Sequence, residues 1–562
     1  MRSLKTQLKT QTRNNKMRNK SLVHILRKAA PAAVAVLMAA LAAGCSKGEN
    51  MTATPIVPSA GAETPVPTKE EANTPSKAPA DATPSPTPDI LAGITKKDIR
   101  AGVSVHDPSI FVQDGTYYIY GSHMANAKSK DLRTWKYCGN GYKSNNPMFE
   151  NLFDKSLGIF DYAGDKGNGQ YAVWAPHVIY NKAMGKYCMY MCTSSTYIKS
   201  SLCFAVSDSP EGPFKWQANI LYSGFTSQDL DKTDVLDVVS EEYAKKTYLK
   251  SGGAYQNQKW PNCIDPTVFY DEDGRMWMVY GSWSGGIFLL EIDEQTGLPI
   301  HPEADEENEV DPYFGRRLLG GMHTSIEGPY IEYNPDNGYY YLFVSYGGLE
   351  RTGGYQMRVF RSEKVTGPYL DMKGSRPQMS LHSKYGLKLS GNYTLPGVKT
   401  AYMATGGQSS FRDTDGKYYL CFHTRFDNNS EFHEPRVQQY FFNREGWPVL
   451  APYCTSGETL EPSGFGKEEL VGEYFFVEQG INIDSKIAKP VLLELKSDGT
   501  VEGSGLTGSW SAEDGTCYMS VTIGETAYSG VFVKMKDQAG ADVLCFTAAG
   551  DNRSVWGVRY LK

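Results

Sequence analysis

The chain has 562 residues, of which 40% are hydrophobic, 12% aromatic and 21% charged, and its formal net charge is −6. That is enough apolar material for more than one core, and the acidic balance argues against nucleic acid or anionic lipid headgroups as partners. The nine cysteines beyond Cys45 form no C-x-x-C pair and no Cys/His cluster, which excludes a zinc site or a dense disulfide framework and predicts buried free thiols.

The first 44 residues hold nine Lys/Arg and no Asp/Glu, and an apolar run spans Ala29 to Ala43. A basic start, a short apolar run and small residues before a cysteine describe a secretory signal, too short for a stable membrane span. Leu41-Ala-Ala-Gly-Cys45 resembles a bacterial lipobox, so Cys45 is the predicted lipidation site of an extracellular, cell-surface lipoprotein. Ordinary secretion with cleavage near Gly44 is the alternative. Without the signal, 48 basic residues face 63 acidic ones, a net charge of −15. Residues 45–94 are rich in Pro, Thr and Ser and almost lack large apolar side chains, which predicts a disordered, extended spacer between anchor and body.

Residues 95–462 carry one pattern five times. The first copy is Asp107-Pro-Ser-Ile-Phe through Gly115 to Gly121-Ser122: a short apolar strand, a polar turn, then an aromatic strand ending in small residues. The others open at Ala175-Pro176-His177, Asp265-Pro-Thr-Val-Phe, Glu327-Gly-Pro-Tyr and Gln408-Ser-Ser-Phe. Strand-rich repeats at intervals of roughly 60–90 residues point to radial repetition, an all-β chain built as a five-bladed β-propeller. The longest interruption, Ser227 to Lys259, has a helical pattern around Val235–Lys246 and would wall a cleft or cap a blade edge. Residues 463–562 alternate as short antiparallel strands and predict a small C-terminal β-barrel or sandwich for support or carbohydrate contact.

In a propeller the first strand of every blade lines the central axis. Asp107, Asp265 and Glu327 open the first, third and fourth copies, so all three carboxylates are expected at one mouth of the channel. Cleaving a glycosidic bond needs one carboxylic acid to protonate the leaving oxygen and one carboxylate to activate water or attack carbon. A third can orient the acid and raise its pKa by like-charge repulsion. The competing reading is Asp-Pro as turn punctuation.

Val105-His-Asp-Pro-Ser109, Trp174-Ala-Pro176, Asn262-Cys-Ile-Asp-Pro266, Gly281-Ser-Trp-Ser-Gly285, Ser325-Ile-Glu-Gly-Pro329 and Cys421-Phe-His-Thr-Arg425 together resemble glycoside hydrolase family 43, and within it the two-domain extracellular endo-α-1,5-L-arabinanases. The resemblance covers about residue 100 to the end. It implies Asp107 as general base, Glu327 as general acid and Asp265 as pKa modulator, with inversion of configuration and acid–base carboxyls about 6.5–9.5 Å apart. It implies substrate contacts from Asn262 to Asp265 and at Ser282, Trp283 and Ser284. Trp174 is a candidate sugar-stacking face, or else a core aromatic. The resemblance also implies a calcium ion bound through His423 and completed mainly by water, which hard-cation chemistry alone does not predict for a strand histidine. His106 has no assigned role, and His177 stands where relatives commonly carry Asp.

The expected partner is arabinan or a related pentose polysaccharide, with a lipid anchor to the membrane, no nucleic acid, and a monomeric body. Two rivals stay open: an exo-acting α-L-arabinofuranosidase or β-xylosidase of the same fold, and a surface glycan-binding lipoprotein without catalysis. Five-bladed sucrose-acting enzymes place Asn before the first Asp-Pro, where this chain has His106.

Overall fold

The structure, a computed structural model, describes residues 90–142, 145–150, 152–164, 172–195 and 198–561. The predicted signal, Cys45 and nearly all of the linker lie outside the described residues.

Five antiparallel sheets follow one another in the chain, and a closed eight-stranded barrel ends it. The innermost strands are Ser109–Gln113, Val173–Asn181, Thr267–Tyr270, Ile326–Asn334 and Tyr402–Arg412. Each touches the next, and the fifth touches the first, so the sheets are the blades of a closed ring. Four blades have four strands, and the third carries two short extra strands, Leu298–Ile300 and Val310–Asp311.

Blades stack face to face, so their middle strands are covered on both sides and read as continuous apolar runs. Lys186–Ser194 is buried from Tyr187 through Thr193, and Tyr339–Tyr346 from Tyr340 onward. The core is accordingly divided among the blade interfaces: Met189 and Tyr120 share one cluster between blades one and two, Tyr190 and Phe288 the next, and Val279 and Leu342 the third. Between blades five and one, Cys421 and Tyr419 pack on Ile110, Ile119 and Trp135. Burying each such side chain contributes about 1.5–3 kcal/mol, so packing closes the ring without any strand exchange. Hydrogen bonds add to the seam: Ser409 Oγ accepts from Ile110 N at 3.1 Å and donates to Pro108 O at 2.7 Å. The cysteines behave as expected. All nine that are described are free, and eight are buried.

The Ser227–Lys259 interruption forms the short helices Val235–Val238 and Glu241–Tyr248. Ser240 caps the second, accepting from Tyr243 N at 3.1 Å. Val235, Ala244 and Tyr248 turn into the cluster between blades two and three, so the segment caps a blade edge.

The C-terminal domain is a barrel and not a sandwich, because Gly472–Glu478 pairs with Arg553–Tyr560 and leaves no free edge. Tyr474, Trp510, Phe532 and Phe546 fill its interior. Its outer face joins the core of blades four and five: Trp556 is fully buried, lies 4.9 Å from Tyr393 between ring centroids and donates Nε1 to Leu450 O at 2.7 Å. Truncating that side chain to Ala would cost about 3–5 kcal/mol.

Candidate active site

One cleft is lined by all five innermost strands, including His106 to Ser109, Trp174 to His177, Ile264 to Thr267, Glu327 to Tyr330 and Gly407 to Ser409. The convergence has a backbone cause. At the same height in every blade one residue takes a left-handed conformation: Asp107 (φ 49°), Ala175 (41°), Asp265 (54°), Gly328 (57°) and Gly407 (58°). In blades two, four and five the strand register skips this residue and its successor, between Trp174 and His177, Glu327 and Tyr330, and Gly406 and Ser409. These are bulges that turn a side chain toward the axis. A left-handed non-glycine residue costs about 1–2 kcal/mol, so Asp107, Ala175 and Asp265 store strain at the cleft.

This register corrects one expectation. Asp107 and Asp265 occupy the bulge position, but in blade four that position belongs to Gly328. Glu327 precedes it, level with His106, Trp174, Ile264 and Gly406. A carboxyl one residue early reaches the same mouth because glutamate has one more methylene than aspartate.

The three carboxyls sit in different electrostatic surroundings. Asp107 Oδ2 accepts from Ser122 Oγ at 2.6 Å and lies 2.7 Å from His106 Nδ1, while Oδ1 lies 3.8 Å from His423 Nδ1. Burial raises its pKa, but the His106 and His423 imidazoles and the bonds from His106 and Ser122 outweigh that and hold it below the usual carboxylate range. Asp265 is pushed well up, first by burial and then by the charges of Glu327 and Asp107, against one donor, Gly328 N at 3.1 Å. Glu327 is also raised by burial and by Asp107, although the Tyr355 hydroxyl, Trp283 Nε1 at 2.7 Å and Ser282 Oγ at 3.2 Å all stabilise its ionised form. Asp265 and Glu327 are thus pushed toward the protonated form and Asp107 toward the ionised one. A cleft with one ionised and one protonated carboxyl can remove a proton from water and give one to a leaving oxygen.

The other predicted site residues divide. Trp174 lines the cleft with its ring centroid 6.1 Å from that of His123. Ser282 and Trp283 hold Glu327, as above. Asn262 is buried and accepts from Ser223 Oγ at 3.4 Å, and Ser284 is fully buried; neither is among the residues that line the cleft. His177 lines it but is tied down: its Nδ1 accepts from Val268 N at 3.3 Å, and burial depresses its pKa to about 3. Sequence reasoning missed Ser122, Tyr355 and Gly407. Ser122 had a signal, because Gly121-Ser122 and Gly281-Ser282 end equivalent hairpins and each serine bonds a carboxylate. Gly407 is required by space: a Cβ there would lie 2.5 Å from Asp107 Oδ1 and 2.8 Å from His423 Nδ1.

His423 is fully buried, and its Nε2 has no partner among the described residues. His106, Asp107 and His423 bring ligand atoms within 4.8 Å of one another. Nδ1 takes the Asp107 N–H at 3.3 Å in one tautomer, and in the other it carries a proton toward Asp107 Oδ1. The second tautomer leaves the Nε2 lone pair free, so the site fits a cation held by one imidazole and water.

The sequence matches the model of glycosyl hydrolases family 43 over residues 101–244 and 225–448, and that of a C-terminal lipocalin-like domain over 452–557. An extracellular endo-alpha-(1->5)-L-arabinanase of Thermotoga petrophila is 39% identical over 81% of this chain and 93% of its own length. The extracellular endo-alpha-(1->5)-L-arabinanase 2 of Bacillus subtilis is 37% identical over 82% of this chain and 94% of its own. The crystal structure of endo-1,5-alpha-L-arabinanase from Thermotoga petrophila superposes with a TM-score of 0.72 at 38% identity, covering 83% of this chain and all of that one. The chain belongs to the glycosyl hydrolases of family 43.

Proposed function

We propose that the protein is a secreted glycoside hydrolase that cleaves internal α-1,5-L-arabinofuranosidic bonds of arabinan with inversion. The observation that carries this reading is the meeting of three carboxyls from separate blades in one cleft, Asp107 held by Ser122 and His106, Asp265 by Gly328 N, and Glu327 by Trp283 and Ser282. The extracellular endo-arabinanases similar to it over four-fifths of the chain supply the substrate class.

Asp107 is the base. Ser122 and His106 hold its Oδ2, which leaves Oδ1 to accept a proton from water as that water attacks the anomeric carbon. Glu327 is the acid and gives its proton to the departing oxygen, with Trp283, Ser282 and Tyr355 steadying the carboxylate that forms. Asp265, held by Gly328 N at 3.1 Å in the same cleft, is the modulator that orients the acid. Trp174 offers a stacking face for a sugar ring, and Asn262 and Ser284 support the wall from behind. His423 would hold a calcium ion through Nε2, the rest of the shell being water; such an ion would supply positive charge to the cleft. Cys45 and the Pro/Thr/Ser-rich segment would tether a monomeric body, residues 95–562, to the cell surface.

Products from debranched linear arabinan test the assignment. Mixed oligosaccharides from the first minutes support it, arabinose alone points to the exo-acting form, and arabinan hydrolysis undiminished in Glu327→Ala refutes the acid.

A further inference from the structure

The C-terminal barrel meets the catalytic blades at the start of the strand Gln356–Ser362, directly after Tyr355. Tyr355 is buried at 2% exposure. It lines the cleft together with Glu327, its ring stacks on His423 with 5.7 Å between centroids, and its edge lies against the backbone of Gly406; its hydroxyl interacts with Glu327 and Ser345. Ser345 Oγ in turn accepts from Gly407 N at 2.9 Å. The ring therefore spans the floor of the cleft from the proposed metal ligand to the proposed acid.

The main chain on either side of Tyr355 is held from outside the propeller. After its first strand, Gly472–Glu478, the barrel sends a connection along blades four and five before Val491–Leu495 begins. Gln356 Nε2 donates to Asn482 O of this connection at 2.9 Å and to Gly354 O at 3.1 Å, joining it to the residue before Tyr355. Arg358, fully buried, donates to Ile481 O and to Gln356 Oε1 at 3.0 Å. Gly354 is left-handed (φ 76°), and a Cβ on it would lie 2.9 Å from Asp484 N, so the two backbones are in direct contact. Asn392 Nδ2 donates to Asp484 O at 3.1 Å, and its Oδ1 accepts from Ala404 N at 2.7 Å, close to Gly406.

We propose that the barrel's 479–489 connection is a positioning element of the active site, clamping residues 354–358 so that Tyr355 stays beside Glu327 in the cleft. The barrel then needs no sugar contact of its own to matter for hydrolysis. Gln356 and Arg358 transmit the clamp, and Tyr355 delivers it. The inference rests on Glu327 being the acid, and the test separates the two.

Tyr355→Phe removes the hydroxyl. Gln356→Glu removes the donors to Asn482 O and Gly354 O but keeps Oε1 for Arg358, so the buried guanidinium stays paired. Gln356→Leu provides a neutral second variant, and near-ultraviolet circular dichroism confirms that each is folded. Each is assayed on linear arabinan and on an arabinotrioside with a 2,4-dinitrophenolate leaving group, which departs without a proton. Misplacing the acid should lower kcat on arabinan roughly 10–100-fold with KM nearly unchanged, while kcat on the activated substrate stays near wild type. A merely structural role would lower both substrates together, and that result overturns the proposal. So do folded Gln356 variants with wild-type kcat on arabinan. Glu327→Ala is the control: it should spare only the activated substrate, and if it keeps arabinan activity the acid assignment falls, and the clamp with it.

Discussion

Replacing Trp283 with Phe probes the acid through a single bond. Its indole Nε1 donates to Glu327 Oε2 at 2.7 Å. Burial is the main force raising the Glu327 pKa, and Trp283 is one of three donors that oppose it. An N–H donor stabilises the ionised carboxylate, so its loss disfavours ionisation and the pKa rises further. A hydrogen bond to a charged group contributes about 1.5–3 kcal/mol, and one pKa unit equals 1.36 kcal/mol, which gives a rise of roughly 1–2 units. The lower figure applies because Ser282 and Tyr355 remain as donors. An acid must be protonated to work, so the alkaline limb of kcat/KM on linear arabinan should move to higher pH by about one unit. The limb belongs to the Asp265–Glu327 pair and is read as one apparent value. Ser282→Ala should move it the same way by less. An alkaline limb that stays in place in the Trp283 variant, or moves to lower pH, would refute this account of how Glu327 is tuned.

Gly407→Ala places a methyl against Asp107 Oδ1 and His423 in a left-handed backbone (φ 58°), so kcat should fall at least 10-fold while the thermal midpoint drops by only a few degrees; a wild-type kcat would contradict the packing around the base. Glu332, on the innermost strand Ile326–Asn334, has its pKa raised by burial to about 7 from an ordinary 4.5. A carboxyl raised in this way contributes stability that is full below pH 4.5 and lost as pH climbs through 7, so Glu332→Gln should stabilise the protein at pH 8, by up to about 3 kcal/mol, and leave it unchanged at pH 4. Urea midpoints at the two pH values check the sign. Chelation or His423→Ala should lower kcat without unfolding the protein, and added calcium should rescue only the chelated wild type, as isothermal titration and activity together would record.

The blades were legible because each is a hairpin bounded by Gly and small residues, and five of them recur. Three acids at the cleft were legible for the same reason. The level of Glu327 was not, because the bulge position is marked by backbone conformation: Gly328 and Gly407 share it with Asp107 and Asp265, and no side-chain pattern announces a left-handed φ. Asn262 and Ser284 sit in runs that look like cleft wall, but burial depends on the neighbouring strand, which local sequence does not specify. Tyr355 was hidden by distance, since its partners Glu327 and His423 lie on other strands and its backbone is held by residues 482–484. The barrel's closure depends on the pairing of Gly472–Glu478 with Arg553–Tyr560, a contact spanning the whole domain, so alternation alone left the sandwich open.

The most direct test of the central claim, that carboxyls from separate blades act across one cleft as acid and base, is the anomeric form of the first product. Proton NMR during hydrolysis of linear arabinan by the wild type should show new reducing ends appearing first as the β-anomer and then mutarotating. New reducing ends that appear first as the α-anomer would mean a covalent intermediate and retention, and would contradict the assignment of Asp107 as a base acting through water.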